Sequence, residues 1–139
     1  MAALAAVFET FEKASDVQNY PVGAAKKVFK GALTVADGTT GYAETGADAA
    51  AKNFIGVAYE TGDNSAGAAA AVEMRVKKRG SFLFNFTGGA PTVAAIGKTA
   101  LLADDNTVQT AATVNSVNVG TIVAVEGTKV RVRIDSAVK

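Results

Sequence analysis

The stretch FIGVAYETGDNSAGAAAAVEMRVKKRGSFLFNFT, residues 54–87, decides the fold. It holds three apolar strand signals separated by small and turn-forming residues. Val72, Met74 and Val76 alternate with Glu73, Arg75 and Lys77. Side chains of a strand point alternately to opposite faces, so one face can enter a core while the charged face stays wet. Lys78, Arg79 and Gly80 break the alternation before Phe82, Phe84 and Phe86 resume it, which predicts a bulge or sharp bend at Gly80. The stretch as a whole reads as a β-meander in one piece, with the three phenylalanines in the core.

The flanks extend this all-β reading. Residues 27–35 read as a first strand pair or a bulged strand, Asp37-Gly38-Thr39-Thr40-Gly41 as a turn, and Tyr42-Ala43 as a short strand. Gly46 to Lys52 is a small-residue loop, Phe54 to Glu60 a strand, and Gly62 to Gly67 a surface connection. Beyond Gly88-Gly89-Ala90-Pro91, residues 92–96 read as one turn of helix. Lys98–Leu102 and Val108–Ala111 bracket a hairpin turn at Asp104-Asp105-Asn106. Thr121–Val125 turns at Glu126-Gly127 into a last strand with Val130, Val132 and Ile134 facing in and Lys129, Arg131 and Arg133 facing out. Short strands at this spacing predict a small β-barrel or β-sandwich of antiparallel strands. The expected organisation is an amino-terminal arm or short amphipathic helix over residues 1–15, followed by one β-rich domain over 16–139. In the arm Leu4, Val7, Phe8 and Phe11 recur at helical spacing, a stripe to be buried on its own domain, a sister subunit or a partner.

Composition narrows function. At 139 residues the chain is long enough to bury a core without a staple, and it contains no cysteine and no histidine. That removes thiolate chemistry, the commonest general base and the commonest transition-metal ligand. No catalytic, cofactor or metal residue is assigned, and no enzyme is expected. The formal net charge is +1, against the strongly basic balance of a dedicated nucleic-acid binder. The opening residues lack a basic n-region and meet Glu9 at once, and no apolar run approaches ~20 residues, so neither a secretory signal nor a membrane span is expected.

Candidate sites are weak on spacing. Gly97-Lys98-Thr99 resembles the end of a phosphate loop, but that loop needs a glycine where Thr92 stands. Asp104, Asp105 and Asn106 lack the alternating ligand positions and distant glutamate of a calcium loop. Arg75, Lys77, Lys78 and Arg79, with Lys129, Arg131 and Arg133, fit either a cationic sheet face that tracks a nucleic-acid backbone or a solvated, subunit-facing surface. Glu44, Asp48, Glu60 and Asp63 form no carboxylate pair that sequence establishes.

From about Val17 to the end, the chain resembles the capsid cement, or head decoration, proteins of tailed bacteriophages. The resemblance rests on the order of Val28-Phe29-Lys30-Gly31-Ala32-Leu33-Thr34-Val35, Phe54-Ile55-Gly56-Val57-Ala58-Tyr59-Glu60, Asp63-Asn64-Ser65-Ala66-Gly67 and Val76-Lys77-Lys78-Arg79-Gly80-Ser81-Phe82. Ile96-Gly97-Lys98, Asp104-Asp105-Asn106-Thr107-Val108, Val119-Gly120-Thr121-Ile122-Val123 and Val130-Arg131-Val132-Arg133-Ile134-Asp135 complete it. It implies a non-catalytic structural protein, made in the host cytoplasm and carried on the outer capsid surface of the virion, that stabilises contacts between subunits of the major capsid protein. It further implies a homo-oligomer, a trimer in preference to a dimer, with no cofactor, no specific nucleic acid and no membrane as partner. The arm does not share the pattern. Leu4, Val7, Phe8 and Phe11 are the expected capsid or subunit contacts. The alternative reading is a β-barrel nucleic-acid-binding module.

Overall fold

The computed structural model describes residues 6–7, 15–111 and 114–139. The strands are β1 (Val17–Pro21), β2 (Lys27–Val28), β3 (Leu33–Asp37), β4 (Ala43–Thr45), β5 (Lys52–Ala58), β6 (Gly62–Asp63), β7 (Glu73–Lys77), β8 (Ser81–Phe86), β9 (Thr99–Leu102), β10 (Thr107–Gln109), β11 (Asn118–Glu126) and β12 (Lys129–Arg133). A single 3-10 turn at Val93–Ala95 is the only helical segment among the described residues. The fold is all-β, as the strand spacing predicts. One sheet runs β1-β7-β5-β3-β4, five strands close into a barrel in the order β8-β12-β11-β9-β10, and β2 pairs with β6.

Residues 54–87 are therefore not one meander. β5 and β7 are neighbours, but β8 pairs with β12 and β10 in the barrel. Gly80, at φ +115°, turns the chain from one sheet to the other. Alternation assigns each side chain to a face; it does not say which strand lies alongside. Residues 27–35 likewise do not pair with each other, because β2 joins β6 while β3 lies between β4 and β5. The β8–β10 closure is parallel, as is the isolated Val22–Ala43 bridge, against the antiparallel expectation.

The sheet and the barrel are two copies of one topology. Matching β1 to β8, β7 to β12, β5 to β11, β3 to β9 and β4 to β10 reproduces the strand order. Register follows. Val57 faces Lys77 as Thr121 faces Arg133, and Leu33 faces Val57 as Thr99 faces Thr121. The pairing slips at the same place in each copy, beside Gly56 in one and Gly120 in the other. Both glycines have a φ that L residues rarely adopt, +139° and +140°, and a Cβ would fall 2.0 Å from the Lys77 carbonyl oxygen or 2.2 Å from that of Arg133. The Gly31 amide donates to the Ala58 carbonyl at 2.9 Å, as the Gly97 amide does to Ile122 at 2.8 Å. The Lys78 amide donates to Asp16 at 2.8 Å, as the Ile134 amide does to Gly80 at 3.1 Å.

Three differences distinguish the copies. In the second, the Asn85 amide donates to the Asn106 carbonyl at 3.0 Å and helps close the barrel. Its counterpart is Pro21, which has no N–H to donate, and the first copy stays an open sheet with only an isolated parallel bridge, Val22–Ala43, across the matching gap. In the second copy Gly127-Thr128 joins β11 to β12 directly, whereas the first inserts residues 59–72, including β6. The third difference locks the copies together. Leu33, Val35, Phe54 and Val57 on the outer face of β3 and β5 are buried in one cluster with the barrel's Phe84, Leu102, Val108, Ile122 and Val132. Their counterparts on the barrel, Thr99, Leu101, Asn118 and Thr121, remain at least partly exposed. The opposite face of the first sheet packs Val22, Ile55, Ala58, Met74 and Val76. β5 is thus apolar on both faces, which accounts for its continuous run Phe54-Ile55-Gly56-Val57-Ala58.

Candidate interaction surface

Of the stripe predicted to make capsid or subunit contacts, Leu4, Phe8 and Phe11 lie outside the described residues, and Val7 is 95% exposed. The other named sites resolve into structural roles. The Gly97 and Lys98 amides donate to Ile122 and Ala95, so neither points at a phosphate. Asp104 Oδ1 accepts from the Asn106 amide at 3.0 Å, and Asp105 Oδ2 accepts from Thr45 Oγ1 at 3.1 Å. The Asp105 carbonyl also receives the Leu33 amide at 2.8 Å, so this turn ties the barrel to the first sheet. Among the described residues no group of three or more Asp or Glu side chains is placed to hold a metal ion.

The basic strands do not form an unbroken cationic face. Arg75 bonds Glu60 at 2.7 Å, Arg131 pairs with Glu126, Arg79 with Asp16 and Arg133 with Asp135. The guanidinium groups beside Glu60 and Glu126 lower the pKa of both carboxyls. Lys78 turns inward, donating to the Tyr20 hydroxyl and to the Lys139 carbonyl, and burial lowers its pKa. Asp63 accepts from Ser65 and pairs with Lys27 at 3.4 Å, while Asp48 accepts from the Asn115 amide at 3.1 Å. Glu44 joins a cluster the sequence did not reveal. Lys52 lies between Asp37, at 2.9 Å, and Glu44, and Asp37 also accepts from the Thr39 and Thr40 amides. The lysine and these amides hold Asp37 far below the usual carboxylate range, and its two carboxylate partners raise Lys52.

Gly62 to Gly67 is not simply a surface connection. Asn64 is 2% exposed, and its Nδ2 donates to the carbonyls of Val22 at 3.2 Å, Gly23 at 3.0 Å and Ala68 at 2.8 Å. Its Oδ1 lies so close to Gly67 that a Cβ there would come within 2.0 Å. Turn composition read this segment as solvent-facing. Instead an insertion specific to the first copy folds back over the sheet, and the asparagine binds its backbone.

Where the two copies meet, Lys30, Tyr59, Lys77, Phe82 and Leu83 line a cleft of 250 Å³. Phe29 stands beside Lys30 and is 59% exposed, and Tyr59 and Leu83 are 39% and 40% exposed. Lys77 Nζ lies 5.4 Å from the Tyr59 ring centre and 5.7 Å from that of Phe82, while the Arg75 guanidinium is 4.7 Å from Tyr59. No carboxylate lines this cleft. The surface combines large apolar groups with lysines that have no ion-pair partner among the described residues. That suits docking of a protein surface, since aromatic and basic anchors dominate such interfaces. The outward position of Leu83 follows from its place between Phe82 and Phe84. Nothing in the sequence marked Tyr59 as its neighbour. Comparison with known protein families, characterised proteins and solved structures finds none that matches this chain.

Proposed function

We propose that the protein is a non-catalytic structural protein that decorates the outside of an assembled phage capsid and stabilises contacts between major capsid subunits, working as a homo-oligomer, a trimer in preference to a dimer. The observation that carries the binding role is the exposed apolar and cationic surface of Phe29, Lys30, Tyr59, Lys77 and Leu83 on a two-copy β body with a shared core. The choice of a capsid as partner comes from the sequence resemblance. The nucleic-acid alternative is weaker, because four of the seven basic strand residues are paired with carboxylates and Arg75 and Lys77 already occupy the Tyr59 ring. Cosedimentation with expanded and unexpanded heads of the cognate phage tests the proposal, with single-stranded DNA as the competing ligand. Retention by expanded heads and poor DNA binding at ~150 mM salt is the expected result. Salt-sensitive DNA binding without head binding would reverse the assignment.

A further inference from the structure

The cleft beside Tyr59 lies next to the root of the amino-terminal arm. Val17, Lys77 and Val57 stand opposite one another across β1, β7 and β5, so their side chains share a face. Along that row Val57, in the cleft lining, is buried, Lys77 is half-buried and Val17 is 40% exposed. The Lys78 amide donates to the Asp16 carbonyl at 2.8 Å and Arg79 pairs with Asp16 at 3.2 Å, which fixes the point where the arm leaves the sheet. The arm also carries what the cleft lacks. Lys30 and Lys77 have no ion-pair partner among the described residues and no carboxylate lines the cleft, whereas Phe8 and Phe11 are each followed by a glutamate, Glu9 and Glu12. An apolar cavity of about 150 Å³ already takes a benzene ring, so the 250 Å³ between Tyr59, Phe82 and Leu83 has room for a phenylalanine. A single chain does not cover the stripe itself, because Val7, between Leu4 and the two phenylalanines, is 95% exposed. An apolar stripe left open beside an open apolar cleft marks a contact between copies.

We infer that the cleft beside Tyr59 receives the arm of a second copy of this chain, its Phe8 and Phe11 against Tyr59, Phe82 and Leu83 and its Glu9 and Glu12 against Lys30 and Lys77. Phe11 stands five positions before Asp16, a span of at most about 18 Å even when extended. The two copies therefore bring these ends of the molecule together. Each chain gives one arm and takes one, and a head-to-tail exchange of this kind closes into a ring when the rotation between copies allows it. Filling the cleft in this way assembles the oligomer through which repeated weak contacts reach a capsid, and Phe29, outside the cleft lining, stays open to the shell. The inference rests on the homo-oligomer of the proposed function and names the contact that builds it.

Light scattering after gel filtration of the full chain, with Phe11→Glu in the arm and Leu83→Glu in the cleft, tests the exchange, and thermal melting confirms that each variant folds. Either variant should weaken self-association at least ~100-fold and run as a monomer where the unaltered chain is assembled. Lys30→Glu with Lys77→Glu should weaken it as well, and adding Glu9→Lys with Glu12→Lys to the same chain should restore most of the loss. Because the chain has no cysteine, Phe11→Cys and Leu83→Cys introduced together supply its only thiols, and oxidation should join them between chains. A disulfide within one chain would overturn the exchange in favour of an arm folded on its own domain. If the unaltered chain is an oligomer and both folded single variants assemble as it does, the inference is overturned while the homo-oligomer reading stands. If the unaltered chain is monomeric, that reading falls and this inference with it.

Discussion

Replacing Asn64 tests whether the inserted segment is held by a buried amide. Its two N–H protons are shared among the carbonyls of Val22, Gly23 and Ala68. Each carbonyl keeps another donor: Ala70 at 2.9 Å, Lys26 at 3.3 Å and Ala71 at 3.1 Å respectively. Asn64→Ala thus removes two net hydrogen bonds without orphaning an acceptor. At about 1 kcal/mol each, with a small void added, the cost is about 2–3 kcal/mol, or roughly 6–10 °C in Tm for a chain of this size. Asn64→Asp is the sharper perturbation. It preserves shape but aims a buried carboxylate at three carbonyl oxygens, so it should cost at least ~2 kcal/mol more than alanine at neutral pH. Burial and the carbonyls raise the folded-state pKa of that aspartate above its unfolded value. The excess cost is then full above the folded pKa and disappears as pH falls to the unfolded value near ~4. Urea unfolding at pH 7 and at pH 4.5 measures both effects. An aspartate variant as stable as the alanine variant at pH 7, or with a pH-independent deficit, would refute the assignment of Nδ2 to the three carbonyls.

Gly56→Ala and Gly120→Ala should each be strongly destabilising, by about 3 kcal/mol or more, because each needs an unfavourable φ and drives a Cβ into a backbone carbonyl; chemical denaturation showing either variant near native stability would contradict their equivalent roles. Phe84→Ala, at a 4% exposed barrel position, should cost about 3–5 kcal/mol and be measurable as a lower denaturation midpoint. Asp37→Asn should lower Tm at neutral pH. Because the folded pKa of Asp37 is depressed, its contribution is present above the unfolded value near ~4 and is lost as pH falls through the folded pKa. The Tm difference from the unaltered chain, followed from pH 7 to pH 2, should therefore shrink on acidification.

Faces were more legible than neighbours. The alternation around Met74 and Val76, and around Val130 and Val132, placed those four side chains in the core, and all are buried. The Asp104-Asp105-Asn106 turn and the bend at Gly80 also stand where turn chemistry put them. Pairing partners depend on which surfaces bury one another across long separations, so the bend at Gly80 was legible but the barrel pairing of β8 beyond it was not. The duplication was equally hidden. Gly31 and Gly97, Gly56 and Gly120, Arg75 and Arg131, and Val76 and Val132 keep their identities, but Tyr20 aligns with Phe84 and Phe54 with Asn118. What persists is backbone geometry, and the four shared residues are too dispersed to register as a repeat. Asn64 was misread because turn-forming residues serve equally in a solvated loop and in a segment folded back onto a sheet. The candidate surface depends on Phe29, Tyr59 and Leu83, which come from three separate parts of the chain.

Calorimetry of expanded cognate heads with and without the protein tests the central claim most directly. A decoration protein that stabilises contacts between capsid subunits should raise the temperature at which the shell disrupts, in proportion to occupancy and up to saturation. The Lys30→Glu, Leu83→Glu double variant, altered at the exposed surface beside Tyr59, should leave that temperature where it is for bare heads. A shell transition unmoved by saturating, head-bound protein would contradict the stabilising role.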